Sequence, residues 1–183
     1  MLYKNLRDES PDVRLKAVKW IVFNWGVIPR GTKDYPIWVQ QLGNYQHDVV
    51  KNFILQHVNK RISSWSKVLA FADSKKYAIF DSRVAISLNT ILDDVDYGQR
   101  FYMPEPRSDD LKVLFKNVRQ SVRQKYHGKQ KSYMGYFDYM NLLNEMVKHK
   151  SGSNVLEVEM RLFANSSRLA LQYAKKHKIP YNP

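Results

Sequence analysis

A lysine and an aspartate near the middle of the chain are the residues whose types and spacing could support covalent chemistry. Lys67 lies in the segment SSWSKVLAF, and Asp81 follows fourteen residues later in YAIFDSRVAISLN. A neutral lysine amine is a nucleophile that forms Schiff bases, and a nearby carboxylate can stabilise developing positive charge and transfer protons. Because lysine has an ordinary pKa of about 10.4, the surroundings of Lys67 would have to favour the neutral amine.

The local sequence predicts that both residues lie at helix N-termini. Ser63 or Ser64 is a suitable N-cap for a short helix that ends near Ala72, which places Lys67 in the first turn. The positive end of the helix dipole disfavours an ammonium group there. Asp81 is placed to cap the next helix. The ordinary alternatives are an exposed surface lysine and an aspartate that acts only as a structural cap.

Hydrophobic residues at helical spacing, together with helix start and stop signals, predict an all-α fold. The first long helix begins at Ser10-Pro11 and stops at Gly26 and Pro29. Tyr77 to Phe80 reads as a short extended stretch. The other helices are predicted over residues 38–42, 44–60, 63–72, 82–92, 110–126, 133–148 and 155–177.

The acidic, proline-containing segment Asp93 to Asp110 predicts a connector between two lobes of one domain that spans residues 1–183. A hydrophobic content of 44% is sufficient for a core. No apolar run is long enough to cross a membrane, and the charged amino-terminal residues are not a signal peptide. The sequence therefore predicts a cytoplasmic protein without a membrane partner.

The composition is strongly basic, with 30 Lys and Arg against 17 Asp and Glu and a formal net charge of +13. Such a balance favours a polyanionic partner, and we interpret this partner as nucleic acid. A merely basic protein and a protein that touches anionic lipid are the alternatives.

Part of this charge forms a basic stripe, which we define as Lys112, Lys116, Arg119 and Arg123. Their steps of four, three and four residues place them on one face of a helix. Fixed cations on one face release counterions when they contact phosphates, which gives affinity without sequence preference. A solvated outer helix face is the alternative interpretation.

Several common cofactor and metal sites lack their motifs. The chain has no cysteine, so a disulfide, a cysteine zinc site and an iron–sulfur cluster are excluded. Its five histidines show no HExxH spacing, and GxxxxGK[ST], GxGxxG and GxSxG do not occur. We expect neither a metal nor a cofactor.

The segments around Lys67 and Asp81 resemble the lysine and aspartate motifs of the helix-hairpin-helix DNA glycosylases, in particular those of bacterial proteins similar to 8-oxoguanine DNA glycosylase. In that superfamily a lysine opens the second helix of the hairpin and forms the Schiff base. An aspartate follows at the start of the next helix. The resemblance implies these roles for Lys67 and Asp81; it covers Arg61 to Leu92, and VEMRLFANS (158–166) extends it weakly.

The resemblance implies a two-lobed helical bundle of the glycosylase type, with a degenerate hairpin. The hairpin of the family usually has a glycine-rich turn that approaches a phosphate, whereas SSWS at 63–66 contains no glycine. The implied DNA contacts are Arg61, Ser63, Ser64, Ser66 and Arg83, in addition to the basic stripe.

A flipped base also needs aromatic or apolar walls. The chain has twelve Tyr, eight Phe and four Trp, although most such side chains are core residues in any protein. The candidates for the base pocket are Trp25, Trp38, Trp65, Tyr133, Tyr136, Phe137 and Tyr139.

The function implied by the resemblance is excision of a damaged or modified base from DNA, which strand cleavage by β-elimination could follow. Oxidised guanine and a hypermodified base of phage DNA both suit this chemistry. We expect a monomer with DNA as its partner and no obligate protein partner. The alternatives are a non-catalytic nucleic-acid-binding protein that retains the glycosylase frame and a helical adaptor whose basic face binds an acidic protein.

Overall fold

A computed structural model describes residues 2–28, 32–43, 45–57, 60–106, 112–127, 134–149 and 154–181. Within these ranges the secondary structure is helical and no β-strand forms, which confirms the predicted all-α class. One isolated bridge pairs Phe101 with Met134.

The described residues form a series of α-helices with one π-helix and one 3-10 turn between them. The π-helix covers Trp20–Trp25 and the 3-10 turn covers Thr32–Asp34. The α-helices are α1 Leu2–Leu6, α2 Pro11–Lys19, α3 Tyr35–Leu42, α4 His47–His57, α5 Ile62–Ala72, α6 Ser82–Asp94, α7 Lys112–His127, α8 Tyr136–Lys148 and α9 Val155–Lys176.

The predicted helix over residues 44–60 is shorter at both ends, since α4 covers His47–His57. The first long helix also differs from the prediction, because α2 passes into the π-helix at Trp20 instead of continuing as α-helix. The predicted stop at Pro29 lies outside the described residues, as do residues 30–31, Asn44 and residues 58–59.

The chain divides into two compact units, Met1–Ile79 and Phe80–Pro183. In the first unit, α5 is buried over most of its circumference, from Ile62 through Ala72. A short helix that is apolar on nearly all sides belongs to the interior of its unit. The rings of Tyr35, Trp38 and Phe53 pack around this core and are fully buried.

In the second unit, α6 and α9 run parallel to each other. Contacts along the two helices advance in the same direction, from Arg83 with Phe163 to Asp93 with Tyr173. Between them, the Ser87 hydroxyl donates to the Leu162 carbonyl at 2.6 Å. This pairing fixes the N-terminus of α6 beside the first half of α9.

The boundary between the two units follows Ile79, so the part of the predicted connector from residue 93 to residue 106 lies within the second unit. Asn89 anchors this segment, because its amide donates to Phe101 O at 3.0 Å and accepts from Phe101 N at 2.8 Å. Phe101 and Met103 are buried. Residues 107–111 lie outside the described residues.

The helices of the described ranges include none that is both long enough and apolar enough to cross a bilayer.

Candidate active site

Helix α5, which carries Lys67, begins two or three residues earlier than a cap at Ser63 or Ser64 would give. Arg61 is its N-cap residue and adopts a left-handed conformation with φ 58°, and its carbonyl accepts from Ser64 N and Trp65 N. Ser63 and Ser64 are therefore inside the helix, and the prediction that either of them caps it is wrong.

Lys67 consequently lies in the second turn of α5, which also corrects the predicted position in the first turn. The helix dipole acts mainly within the first turn, so it affects this amine less than the predicted position implied. Lys67 is 7% exposed, and its Nζ donates to the Ser63 carbonyl at 3.0 Å.

The backbone at Gly26 lies close to the aliphatic part of the Lys67 side chain. A Cβ at residue 26 would lie 3.1 Å from Lys67 Cδ and 2.8 Å from Val22 O. Gly26 ends the π-helix and has an ordinary negative φ of −79°. Glycine is therefore needed here for close approach, and not for an unusual backbone conformation.

The three tryptophans predicted for a base pocket have different environments. Trp38 and Trp65 are core residues at 1% and 0% exposure, and Trp65 Nε1 donates to the Lys60 carbonyl at 3.0 Å. Their buried rings offer no open face to a base, which corrects the expectation for both. Trp25 is 46% exposed, and its ring packs edge to face on Phe71 at 4.9 Å.

The tyrosine-rich segment that was also considered for the pocket lies in the second unit. Tyr136 and Tyr139 are buried at 3% and 0% exposure, and Phe137 is half-buried. Tyr139 packs against Phe80 at 4.9 Å between ring centroids. Tyr133 lies outside the described residues.

Asp81 is the N-cap of α6, as predicted. Its backbone is extended, and its Oδ1 accepts from Arg83 N at 3.0 Å and from Val84 N at 3.2 Å. Both bonds satisfy amides that lack partners within the helix. The carboxylate is half-buried and fixed in orientation by these two bonds.

Glu159 is a second carboxylate that sequence reasoning missed, and both it and Asp81 act on Tyr139. Burial raises the pKa of Tyr139 well above its usual range, and the negative charges of Glu159 and Asp81 add to this effect. Glu159 is 2% exposed on α9. Its spacing from Val155 and Leu162 on one helical face was the signal that could have identified it as a buried acid.

The basic stripe on α7 is only partly open. Lys112, Lys116 and Arg123 are exposed, whereas the Arg119 side chain is 13% exposed and donates to Glu105 at 2.6 Å. This bond is the main reason that the pKa of Glu105 is lowered.

The remaining predicted DNA contacts differ in their accessibility. Ser64 and Ser66 are buried at 3% and 0% exposure, so their hydroxyls cannot reach a phosphate in this structure, which corrects the expectation for both. Ser63 is half-buried. Arg61 forms an ion pair with Asp34 at 2.5 Å, and the Arg83 guanidinium lies 5.0 Å from the centre of the Phe163 ring.

In the part of the chain that the structure describes, no group of three His, Asp or Glu could hold a metal ion. Comparisons with protein-family models, with curated proteins and with solved structures find no match to this chain. Lys67 belongs to the first unit and Asp81 to the second.

Proposed function

We propose that this protein is a DNA glycosylase of the helix-hairpin-helix type, with Lys67 as its nucleophile and Asp81 as its acidic residue. The observation that carries the proposal is the burial of Lys67, at 7% exposure, inside the helix whose sequence resembles the lysine motif of that superfamily. A lysine without a structural or chemical role usually lies at the protein surface. Asp81, at the cap of the following helix, has the position that the same resemblance requires.

In the proposed reaction, Lys67 Nζ attacks C1′ of the deoxyribose as the bond from C1′ to the base breaks. The base leaves with the electron pair of that bond and takes up a proton. The nitrogen of Lys67 loses a proton, the C1′–O4′ bond breaks as the ring oxygen takes up a proton, and a Schiff base between Lys67 and C1′ results. Loss of a proton from C2′ then forms a C2′–C3′ double bond, and the 3′ phosphate leaves with the electron pair of the C3′–O bond.

The contacts of the two residues suit these roles. The Ser63 carbonyl accepts from Lys67 Nζ and orients the amine in a site with little water. The Asp81 carboxylate is held by two backbone amides and can stabilise positive charge that develops on the sugar.

The test is reductive trapping on DNA that contains an abasic site. In the presence of borohydride, the wild-type protein should form a covalent complex, and Lys67→Gln should lose it. Lys60→Gln is the matched control, because Lys60 is exposed and precedes the same helix. Equal trapping by Lys67→Gln would remove Lys67 from the nucleophile role, and loss of trapping by Lys60→Gln as well would indicate that charge alone matters.

The excised base is identified by mass spectrometry of the bases released from oxidised DNA and from phage DNA with modified bases. Oxidised guanine is the substrate that the family resemblance suggests. A wild-type protein that releases no base from either DNA and forms no trapped complex would overturn the glycosylase proposal.

A non-catalytic nucleic-acid-binding protein is the second candidate, and the exposed cations of α7 favour it. Lys112, Lys116 and Arg123 present positive charge on a helix that the Lys67 chemistry does not require. In this case DNA binding would be salt-dependent and neither base release nor trapping would occur.

A further inference from the structure

The helical stretch that runs from α2 into the π-helix has one buried side and one exposed side, because exposure alternates in pairs along it. The buried side chains are Ala17, Val18, Ile21 and Val22. The exposed side chains that alternate with them include Lys16, Lys19, Trp20 and Phe23. This alternation is typical of an amphipathic helix at the surface of its unit. We call these four exposed residues the basic–aromatic face.

The apolar members of this face are large, and they remain in water. Trp20 is 43% exposed and Phe23 is 47% exposed. Val27, two residues after the π-helix, is 76% exposed and adds a third apolar side chain at the same end of the stretch. Neighbouring apolar side chains with this exposure, next to charged residues, mark a surface that binds a partner.

The backbone holds Val27 in solvent. Its φ of 49° lies in the left-handed region, where a residue after a helix is usually glycine and a β-branched residue is rare. On either side of it, Gly26 N donates to Ile21 O at 2.9 Å and Ile28 N donates to Val22 O at 3.1 Å. Ile28 is also buried. The exposure of Val27 therefore results from a hydrogen-bonded turn and not from a frayed helix end.

The charge around the face is positive. Between sequence positions 10 and 33 the only acid is Asp12, one turn before Lys16, against five Lys and Arg. The whole chain has a formal net charge of +13, so a second copy of it would be repelled. A partner that complements this face is therefore anionic and also accepts apolar side chains.

We propose that the basic–aromatic face docks on a membrane surface that contains anionic lipid. The contact goes beyond the proposed function and does not rest on it. An amphipathic helix with aromatic and basic residues lies flat in the headgroup region, where tryptophan is enriched. Lysine can bury its methylene groups there and keep its ammonium group beside lipid phosphates. Such a contact needs no spanning helix.

Val27 favours lipid over nucleic acid as the partner. It has no ring on which a base could stack, whereas in the headgroup region its side chain adds apolar area to that of Trp20 and Phe23. The attraction of Lys16 and Lys19 to the surface requires anionic headgroups, and neutral lipid would not supply it.

The experiment is sedimentation of the full chain with vesicles. One set contains phosphatidylcholine alone, and the other contains equal parts of phosphatidylcholine and phosphatidylglycerol. The wild type should bind the anionic vesicles much more strongly, and added salt should weaken this binding. Trp20→Ala and Phe23→Ala should each weaken it by about tenfold. Lys16→Gln and Lys19→Gln together should weaken it by about 30-fold, since each lysine near an anionic surface contributes about fivefold.

Helix α4 of the same unit provides matched controls. Lys51 and Leu55 lie one turn apart on it and are both exposed, Leu55 at 57%. Lys51→Gln and Leu55→Ala remove the same kinds of side chain, so they should leave vesicle binding nearly unchanged. Circular dichroism verifies that each variant folds.

Three results would overturn the inference. The first is wild-type binding that is absent or equally strong with phosphatidylcholine alone. The second is an equal loss in the face variants and in the α4 controls. The third is vesicle binding that the face variants leave unchanged while they weaken binding of an oligonucleotide or self-association in sedimentation velocity, since the face would then bind nucleic acid or a second copy of the chain.

Discussion

Arg119 donates to a carboxylate oxygen of Glu105 at 2.6 Å, so the third cation of the basic stripe already has an acidic partner. The Arg119 side chain is 13% exposed, whereas that of Glu105 is 79% exposed. Glu105 is therefore exposed to solvent, whereas Arg119, which was predicted to contact DNA, is mostly covered. Arg119 and Arg123 consequently differ in their availability to phosphate.

We expect Arg123→Ala to weaken DNA binding more than Arg119→Ala. Arg123 is exposed, and the loss of one duplex phosphate contact should make the slope of log affinity against log salt shallower by about 0.9. Arg119→Ala removes a cation that Glu105 already neutralises, so this slope should stay nearly constant. Binding isotherms at several salt concentrations measure both slopes. A larger change for Arg119→Ala would show that DNA displaces Glu105.

Glu105→Gln tests the same ion pair from the acidic side. The substitution removes the negative charge, so Arg119 becomes available and DNA affinity should rise with a steeper dependence on salt. Glu145→Gln is the control, because Glu145 is also exposed and paired, with Lys148 at 2.6 Å. Equal effects of the two substitutions would mean that only the net charge matters.

We expect Asp81→Asn to abolish most base excision and to leave the stability of the second unit nearly unchanged. An asparagine oxygen can still accept from Arg83 N and Val84 N, because asparagine is as good an N-cap as aspartate. It lacks the negative charge that the proposed reaction needs. Single-turnover excision and thermal unfolding separate the two effects. Normal excision by this variant would leave Asp81 as a structural cap.

Two neighbouring aspartates at the end of α6 should differ widely in their contribution to stability. Asp93 accepts from Arg100 at 2.6 Å and from the Tyr173 hydroxyl at 2.8 Å, and its ion pair is almost fully buried. Asp93→Ala should lower the free energy of unfolding by about 3 to 5 kcal/mol, since Arg100 would keep a buried charge. Urea unfolding measures this change.

Asp94→Ala provides the matched comparison for Asp93. Asp94 pairs with Lys176 at 2.7 Å, but both side chains are about half-exposed. Exposed pairs contribute about 0 to 1 kcal/mol, so this substitution should have little effect on the same unfolding curve. Similar losses for the two variants would contradict the assignment of the Asp93 pair to the interior of the unit.

Tyr139 should make the second unit sensitive to alkaline pH. Burial, followed by the nearby Glu159 charge, raises the pKa of Tyr139 well above its ordinary value of 10.0. Because the folded-state pKa is the higher one, the stabilising contribution is complete below pH 10 and is lost as the pH rises above it. The free energy of unfolding should then fall by about 1.4 kcal/mol per pH unit for this single proton.

The variant Tyr139→Phe should remove this part of the pH dependence, because phenylalanine has no hydroxyl that ionises. Denaturant unfolding at pH values below and above 10 measures the slope. Tyr97→Phe is the control, because Tyr97 is 50% exposed in the same unit. A slope that Tyr139→Phe leaves unchanged would assign the alkaline sensitivity to other groups.

Several features that local sequence determines were predicted correctly, although the cap of α5 was not. Asp81 caps α6 because aspartate before an amphipathic run satisfies the free amides of the first turn. Pro11 begins α2 and Val155 begins α9, where start signals precede a helical hydrophobic pattern. The all-α class followed from the same periodicity.

The features that depend on tertiary structure were not predictable in this way. Arg61 adopts a left-handed conformation that no residue-type preference indicates for arginine, and α5 begins directly after it, before the serines that were predicted to cap it. Trp25 and Trp65 were both predicted to line a base pocket, yet Trp25 is exposed and Trp65 lies in the core. The ion pair of Arg119 with Glu105 joins residues fourteen positions apart, beyond the reach of helical spacing.

The π-helix between Trp20 and Trp25 makes this part of the chain tolerant of a change in length. The wide turn contains one residue more than an α-helical turn, so one residue fewer there would allow ordinary α-helical hydrogen bonds to close. The residues on either side would keep nearly the same rotation about the helix axis. The same deletion within α2 would instead rotate the residues before it by about 100° relative to those after it, the angle that one residue occupies in an α-helix.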